Sequence, residues 1–288
     1  PAPAPVRLLA WTHDLAATNP RYGGFRRPGH PYTLIATAQP RVRYVAVSAA
    51  RAAEVANALG LTPAQVPVVP NGIDPAAFLD IGESTRDLGR RAGFAGADPL
   101  VLVPARVTRR KRLELAIAAA AQLRRRHPRL RVVVTGALGP HTADNRAYQC
   151  ELAALRDGAG LQDVVVFCHE HGAGDDNAHP VDGAMMAELY RLADVVLLTS
   201  ESEGFGLPVL EAALARVPIV CPDIPILREV GGDGLIAFPA DGGPGQVAAA
   251  VDLALDLPGP RLRSRVLRAN DWDRVRRQLE DQIEAALA

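Results

Sequence analysis

The chain has 288 residues, of which 48% are hydrophobic and 22% charged, a balance typical of globular proteins long enough for two domains. Its 32 Lys and Arg residues equal its 32 Asp and Glu residues, so no global basic field argues for binding to nucleic acid or to an anionic membrane. The cysteines at 150, 168 and 221 are odd in number and lack C-x-x-C spacing, which argues against a disulfide framework or zinc site and favours a reducing compartment.

The sequence contains no apolar run near the ~18 residues that a membrane-spanning helix needs. The opening stretch PAPAPVRLLAW lacks the charged start and the small-residue cleavage site of a signal peptide. These features predict a cytoplasmic protein without a transmembrane segment.

Residues 1–84 contain the elements of only part of an α/β domain. The apolar run VRYVAVS precedes the helical stretch AARAAEVANALG, and another apolar run begins the segment VPVVPNGIDPAAF, residues 66–78. The Pro70-Asn71-Gly72 turn and the proline that follows it are typical of a connection leading from one unit to another. We therefore predict a domain boundary near residue 85, with about three strands and one clear helix before it.

Six further apolar runs occur between residue 99 and about residue 240, and helical stretches alternate with them. These runs are apolar throughout rather than at every second residue, which predicts parallel strands covered on both faces. The predicted fold class is α/β, with a doubly wound parallel sheet in a domain over residues 85–270. Ligands of such sheets bind at the carboxyl ends of the strands, so the loops that follow the strands are the candidates for chemistry.

A last helix is predicted over residues 271–288. Asp271 can cap it, and its apolar residues from Trp272 to Leu287 recur at spacings of three and four. Such a stripe must pack against another part of the protein.

One candidate site is the turn ESEGFGLPVLEAAL, which follows the apolar run DVVLLTS. Gly204 and Gly206 allow a tight backbone turn, Pro208 suits the first position of a helix, and the start of a helix favours an anion such as phosphate. The flanking Glu203 and Glu211 would repel a phosphate but could bind the hydroxyls of a sugar or ribose. A solvated loop charge at 203 and a helix-dipole interaction at 211 are the alternative interpretations.

A second candidate site is the stretch ARVTRRKRL, which contains the only lysine of the chain, Lys111. A lysine is a compact point charge on a flexible stem that suits one phosphate oxygen, whereas an arginine presents a planar fork. Lys111 and Arg106 follow another strand of the same sheet, so they could contact a diphosphate together with the Gly204–Gly206 turn. A chance lysine on a solvated helix start is the alternative.

These motifs together resemble the glycosyltransferases of the GT-B fold called glycosyl transferases group 1, or family 4, which are retaining enzymes. EGFGLPVLEA resembles the family's E-x7-E signature, and ARVTRRK resembles its G-R-x4-K motif. PNGID, VVVTGALG with Gly136, and the tryptophan that begins the last helix occur in the same order as in the family. The resemblance covers nearly the whole chain and implies a GT-B architecture.

The resemblance also implies roles for particular residues. Arg106 and Lys111 would bind the donor diphosphate, Glu203 the hydroxyls of the transferred sugar, and Glu211 the ribose. His13, in AWTHDL, would lie near the anomeric centre, with an ordinary strand-end histidine as the alternative. The remaining candidates for donor contact lie in the two glycine-containing loops: Gly136, Gly204, Phe205, Gly206 and Leu207.

The implied activity is transfer of a hexose from a UDP- or GDP-sugar to an acceptor hydroxyl, with retention of anomeric configuration. No cofactor is implied, and no metal is required, because the cations and the helix start stabilise the charge on the leaving diphosphate. The acceptor is an unknown sugar, lipid or small molecule. The last helix is expected to pack back on the amino-terminal, acceptor-side domain.

The sequence departs from the family at Ala105 and Arg112, where the family has glycine, and in its amino-terminal part. A complete amino-terminal domain in this family needs about twice the residues that precede PNGID, including an early glycine-rich loop. We expect the chain to be a piece of a longer enzyme, and the alternative is that another chain supplies the missing half of this domain. A non-catalytic module that binds a nucleotide sugar and another GT-B enzyme, such as a sugar-nucleotide epimerase, are the alternatives.

Two further segments carry weaker indications. The stretch HEHGAGDDNAHPVDG, residues 169–183, has three histidines and three aspartates in an irregular loop without helical ligand spacing, which argues against a metal site. The family resemblance implies instead that this loop lies near the nucleotide base. The stretch NPRYGGFRRPGHPY, residues 19–32, could contact an acceptor or be a long surface loop.

Overall fold

The computed structural model describes residues 8–13, 37–136, 143–171 and 181–287. The chain divides into two compact units. Residues 1–74 and 268–288 belong to the first unit, and residues 75–267 belong to the second. The predicted domain limits near residues 85 and 270 stay predictions. Among the described residues, no helix combines the length and apolarity that crossing a membrane requires.

The first unit contains a parallel pair of strands, β1 (Leu8–Thr12) and β2 (Val42–Ala46). Helix α1 (Ala49–Leu59) follows β2. It begins where the Ser48 side chain accepts the Arg51 N–H and ends at Gly60, whose left-handed backbone stops the helix. The apolar run at residues 66–70, predicted as a strand, pairs with β2 through an isolated bridge between Ala46 and Val68 rather than as a regular strand.

The last helix, α11 (Trp272–Leu287), belongs to this first unit. Val275 is fully buried and packs in a cluster with Val45 and Val69. Gly72 lies against the indole of Trp272, since a Cβ built on that glycine would lie 2.3 Å from Cδ2 of the ring. The apolar stripe of the helix therefore has a partner in the amino-terminal residues.

The second unit is built on a six-stranded sheet with the order β5-β4-β3-β6-β7-β8, and every neighbouring pair is parallel. This arrangement confirms the predicted doubly wound α/β fold class. The strands are β3 (Leu100–Val103), β4 (Arg131–Val134), β5 (Val165–Phe167), β6 (Val195–Leu197), β7 (Ile219–Pro222) and β8 (Ile236–Phe238).

Helices connect these strands and extend the unit at both ends. They are α2 (Pro75–Phe78), α3 (Glu83–Arg91), α4 (Leu113–Leu123), α5 (Ala143–Gly158), α6 (Gly183–Leu192), α7 (Leu207–Ala215), α8 (Pro225–Gly231), α9 (Pro244–Leu255) and α10 (Pro258–Ala269), the last of which continues past the division at Leu267.

Two hydrophobic clusters cover the two faces of the sheet. Successive residues of a strand point to opposite faces, so Val101 and Val103 join one cluster while Leu100 and Leu102 join the other. The first cluster includes buried residues of α4 and α9, and the second includes buried residues of α6 and α7. Burial on both faces explains why the strands are apolar at every position except Arg131, at the start of β4.

The strand order changes direction between β3 and β6. The chain proceeds from β3 to β4 and β5 on one side, and from β6 to β7 and β8 on the other. Crossovers that leave in opposite directions open a crevice at the carboxyl ends of the two central strands, where ligands of this class of sheet bind.

Candidate functional site

The loop after β3 carries Arg106 and Lys111. Val107 is fully buried and anchors the loop, while Arg106 is exposed. A 3-10 turn over Arg109–Lys111 follows, and it ends at Arg112 in the left-handed region, with φ +46°. The next residue begins α4, where the Leu113 N–H donates to the Tyr148 hydroxyl at 2.9 Å.

The departure from the family motif at Arg112 has a conformational cost. A left-handed conformation costs a residue with a Cβ about 1 kcal/mol, and glycine adopts it without that cost. The Arg112 guanidinium donates to the Ala240 carbonyl at 2.9 Å. This contact holds the side chain, whereas the strain in the backbone persists.

Gly136 brings the end of β4 against the loop that carries Arg106. A Cβ built on Gly136 would lie 2.0 Å from the Ala105 carbonyl oxygen and 2.5 Å from Cα of Arg106. Both are backbone atoms, so a side chain at 136 would force the two loops apart. The glycine thus fixes the position of the Arg106 backbone.

The central contact of the site joins the loops that follow β3 and β6. Nζ of Lys111 lies 2.5 Å from Oε1 of Glu203, and the two side chains are only 12% and 7% exposed. The Ser200 hydroxyl donates to the same oxygen at 2.6 Å. One carboxylate oxygen of Glu203 is therefore bound twice within the protein.

Backbone contacts hold the same two loops together. The Glu201 N–H donates to the Arg110 carbonyl at 2.9 Å, and the Thr199 hydroxyl donates to the Lys111 carbonyl at 2.7 Å. Arg110 adds a side-chain contact, since Nη1 donates to the Ser202 carbonyl at 2.6 Å and lies 3.6 Å from Oε2 of Glu203. Lys111 is thus anchored through its main chain as well as through its ammonium group.

A cavity of about 480 Å³ opens beside this contact, lined by Pro104, Arg106, Thr108, Arg110 and Lys111. Three of the five lining residues are cations, and Glu203 supplies one negative charge next to them. The local charge is net positive, so an anionic group is the ligand that these residues favour.

Helix α7 begins at Gly206, which has φ +92°. A Cβ there would also lie 2.9 Å from a methyl group of Leu227, so the position requires glycine both for conformation and for space. Pro208 has no N–H and the Val209 N–H donates to the Gly206 carbonyl, so the candidate donors to an anion are the amides at Phe205, Gly206 and Leu207. Gly204 lies in the exposed turn before them.

Glu211, one turn inside α7, contacts a different partner. The Tyr190 hydroxyl of α6 donates to Oε2 of Glu211 at 2.5 Å. Burial and the hydrogen bond to the carboxylate both raise the pKa of the Tyr190 hydroxyl, so it stays a protonated donor at neutral pH. Tyr190 was not among the residues predicted from the sequence.

The remaining predictions concern other parts of the chain. His13 is exposed in the first unit, with its ring 4.8 Å from that of Trp11 between centroids, and its role near the anomeric centre stays a prediction. Residues 172–180 of the histidine-containing loop and the segment 19–32 lie outside the described residues. Within the described ranges, no group of three His, Cys, Asp or Glu side chains could hold a metal ion.

The structure therefore brings together some of the site residues that were predicted from the sequence. Arg106 and Lys111 line one cavity, and Lys111 contacts Glu203. Arg110, Ser200 and Tyr190 were missed, although Arg110 adjoins the lone lysine in the sequence and Ser200 closes the predicted strand run. The diphosphate, sugar and ribose contacts themselves stay predictions.

Comparison with known proteins identifies the family. Residues 85–270 match the family described as "Glycosyl transferases group 1". The chain is 34% identical over 232 residues to D-inositol 3-phosphate glycosyltransferase of Kineococcus radiotolerans, covering 76% of this chain and 50% of the relative. It is 33% identical over 202 residues to the protein of the same name from Actinosynnema mirum, covering 67% of this chain and 45% of the relative.

Sequence identity to solved structures is lower than to these relatives. A glycosyltransferase from Rickettsia africae has a TM-score of 0.48 and 17% identity, covering 84% of this chain and 62% of that chain. The chain spans about half the length of the curated relatives that it matches. Because the family match extends over most of the chain, the chain belongs to the glycosyl transferases group 1 family.

Proposed function

We propose that this chain forms the donor-binding part of a glycosyltransferase that moves a hexose from a nucleoside diphosphate sugar to an acceptor hydroxyl. The observation that carries the proposal is the contact between Lys111 and Glu203 beside a cavity that Arg106 also lines. Cations suited to a diphosphate and a carboxylate suited to sugar hydroxyls lie side by side. The family and the names of the two relatives support the same reaction class.

In the proposed reaction the bond between the anomeric carbon and the diphosphate oxygen breaks, and its electron pair leaves with the diphosphate. Arg106 and Lys111 stabilise the negative charge that grows on that group. The acceptor oxygen attacks the oxocarbenium-like centre from the face that the diphosphate leaves, so the configuration is retained. The acceptor proton passes to an oxygen of the departing diphosphate.

The two oxygens of Glu203 have different tasks in this proposal. Oε1 binds Lys111 and Ser200, which leaves Oε2 as the acceptor for hydroxyl groups of the sugar. Arg110 lies 3.6 Å from Oε2 and offsets its charge. This division leaves the other two hydrogens of the Lys111 ammonium for phosphate oxygens.

The first experiment is a calorimetric titration of the 288-residue chain with UDP, GDP and their glucose and mannose conjugates. We expect the chain to bind the nucleotides of one base, either uracil or guanine. Lys111→Ala should raise their dissociation constants by about tenfold or more. Arg109→Ala is the matched control, because Arg109 is the neighbouring cation, is paired with the exposed Glu151 and does not line the cavity. Absence of binding by the wild-type chain would contradict the donor site.

A second measurement separates an enzyme from a binding module. Release of nucleotide from the bound conjugate, followed with sugar, lipid and inositol phosphate acceptors, supports transfer. Tight binding without release under every acceptor supports the module. We also propose that no divalent metal is needed, so EDTA should leave the dissociation constant of the nucleotide unchanged.

A further inference from the structure

Tyr190 and Glu211 form a hydrogen-bonded pair that joins α6 to α7. The Tyr190 side chain is 3% exposed, whereas Glu211 is exposed. The hydroxyl of Tyr190 donates to Oε2 of Glu211 at 2.5 Å. The carboxylate therefore lies at the boundary between the packed interior and solvent, and one of its oxygens is held from inside.

The Tyr190 ring is fixed by packing. It belongs to the hydrophobic cluster that also contains Leu189, Val209 and Ala212, residues of the same two helices. A buried hydroxyl needs a hydrogen-bond partner, and Glu211 is the partner that it has. A rigid donor thus acts on a side chain that would otherwise rotate freely on a helix surface.

An exposed glutamate loses about 1.5–2 kcal/mol of rotamer freedom when it is immobilised, and a ligand that immobilises it binds more weakly for that reason. A hydrogen bond that orients the carboxylate beforehand removes part of this cost. We infer that Tyr190 is a positioning residue, whose hydroxyl orients the Glu211 carboxylate to accept the ribose hydroxyls of a nucleoside diphosphate donor. This inference rests on the proposed function, because it takes the ribose as the ligand of Glu211.

The chain provides a matched control in the same unit. The buried hydroxyl of Tyr148 in α5 donates to the Glu114 carboxylate and accepts the Leu113 N–H, so it has the same chemistry in another place. Tyr148→Phe and Tyr190→Phe each remove one oxygen atom and leave the ring in place. Of the two changes, only Tyr190→Phe removes the hydrogen bond to Glu211.

The experiment is a calorimetric titration of the full chain with UDP and GDP and with their dideoxy analogues, in which both ribose hydroxyls are replaced by hydrogen. The measured quantity is the ratio of the two dissociation constants for the base that binds. We expect the wild-type chain to prefer the ribonucleotide by about tenfold and Tyr190→Phe to lower the ratio to about twofold, through weaker ribonucleotide binding alone. Tyr148→Phe should keep the wild-type ratio.

A further variant, Glu211→Ala, should abolish the preference, and adding Tyr190→Phe to it should change the ratio no further. A wild-type ratio in Tyr190→Phe, or an equal loss of affinity for both nucleotides, would overturn the positioning role and leave the proposed function intact. Equal affinity of the wild-type chain for the ribonucleotide and its dideoxy analogue would also overturn the positioning role and leave the proposed function intact. Failure to bind any of the four nucleotides would overturn the proposed function, and this inference with it.

Discussion

Nζ of Lys111 lies 2.5 Å from Oε1 of Glu203, and the two residues come from loops that follow the adjacent parallel strands β3 and β6. Ion pairs on open protein surfaces contribute little, but this pair is largely withdrawn from solvent. Its geometry connects the two halves of the doubly wound sheet at the crevice where ligands bind.

Replacing Lys111 should affect transfer more than folding. Under the proposed function, Lys111→Ala is expected to lower kcat by about 10²–10³-fold, because it removes one of the cations proposed to stabilise the leaving diphosphate. Lys111→Arg should also be impaired, since a planar fork cannot occupy the position of an ammonium that shares Oε1 of Glu203 with the Ser200 hydroxyl. Steady-state kinetics measure both effects. Wild-type activity in Lys111→Arg would show that the lone lysine is accidental.

Gly136→Ala should separate the loops that Gly136 holds together. The new Cβ would lie against the backbone of Ala105 and Arg106, and relief of such overpacking costs about 1–3 kcal/mol. We expect a lower midpoint of urea unfolding and weaker nucleotide binding, because the Arg106 backbone must move. Gly158→Ala is the control, since a Cβ at that helix position meets nothing within 4 Å. Equal stability of the two variants would contradict the close approach.

Two substitutions at Arg112 separate backbone strain from the side-chain contact. Arg112→Ala loses the hydrogen bond to the Ala240 carbonyl but keeps a Cβ at φ +46°. Arg112→Gly loses the same hydrogen bond and also the strain, so it should be more stable than the alanine variant by about 1 kcal/mol. Urea unfolding of the two proteins measures the difference. A more stable alanine variant would refute the left-handed backbone.

The three cysteines should differ in reactivity. Burial raises the pKa of the Cys168 and Cys221 thiols to about 12, from an ordinary value of 9.0, whereas Cys150 is exposed. Iodoacetamide reacts with the thiolate, so at about pH 8 we expect one alkylated residue in the native chain and three after unfolding. Mass spectrometry of tryptic peptides identifies the sites.

These raised pKa values also affect stability. The unfolded chain releases the two thiol protons near pH 9 while the folded chain keeps them to about pH 12. The contribution of the thiols to folding is therefore complete below pH 9 and is lost as the pH rises toward 12. A double variant with alanine at both positions should lose less stability over this range.

The sheet was predictable because its strands are short, apolar at nearly every position and separated by helices. This local pattern of composition indicates both the elements and their parallel arrangement. The lone Lys111 and the Gly204–Gly206 turn were also visible, since each lies just after a predicted strand. Their proximity followed from the rule that the carboxyl ends of parallel strands meet at one edge.

Other contacts had no local pattern. Tyr190 and Glu211 are separated by a whole strand and its turn, and a tyrosine on an apolar helix face is indistinguishable from an ordinary core residue. The positive φ at Arg112 was also not predicted, because arginine does not favour that conformation, although the family's glycine at this position was an indication of it. The contact between Gly72 and Trp272 joins distant parts of the chain, so only the folded structure shows it.

The placement of α11 has a consequence for synthesis on the ribosome. The second unit is one continuous segment, so all of its strands and helices have been translated before Val275 is made. Val45 and Val69 of the first unit pack with Val275, so this cluster stays incomplete until translation reaches α11. Nascent chains arrested before residue 272 should therefore expose apolar surface from the first unit while the second is already protected from proteases.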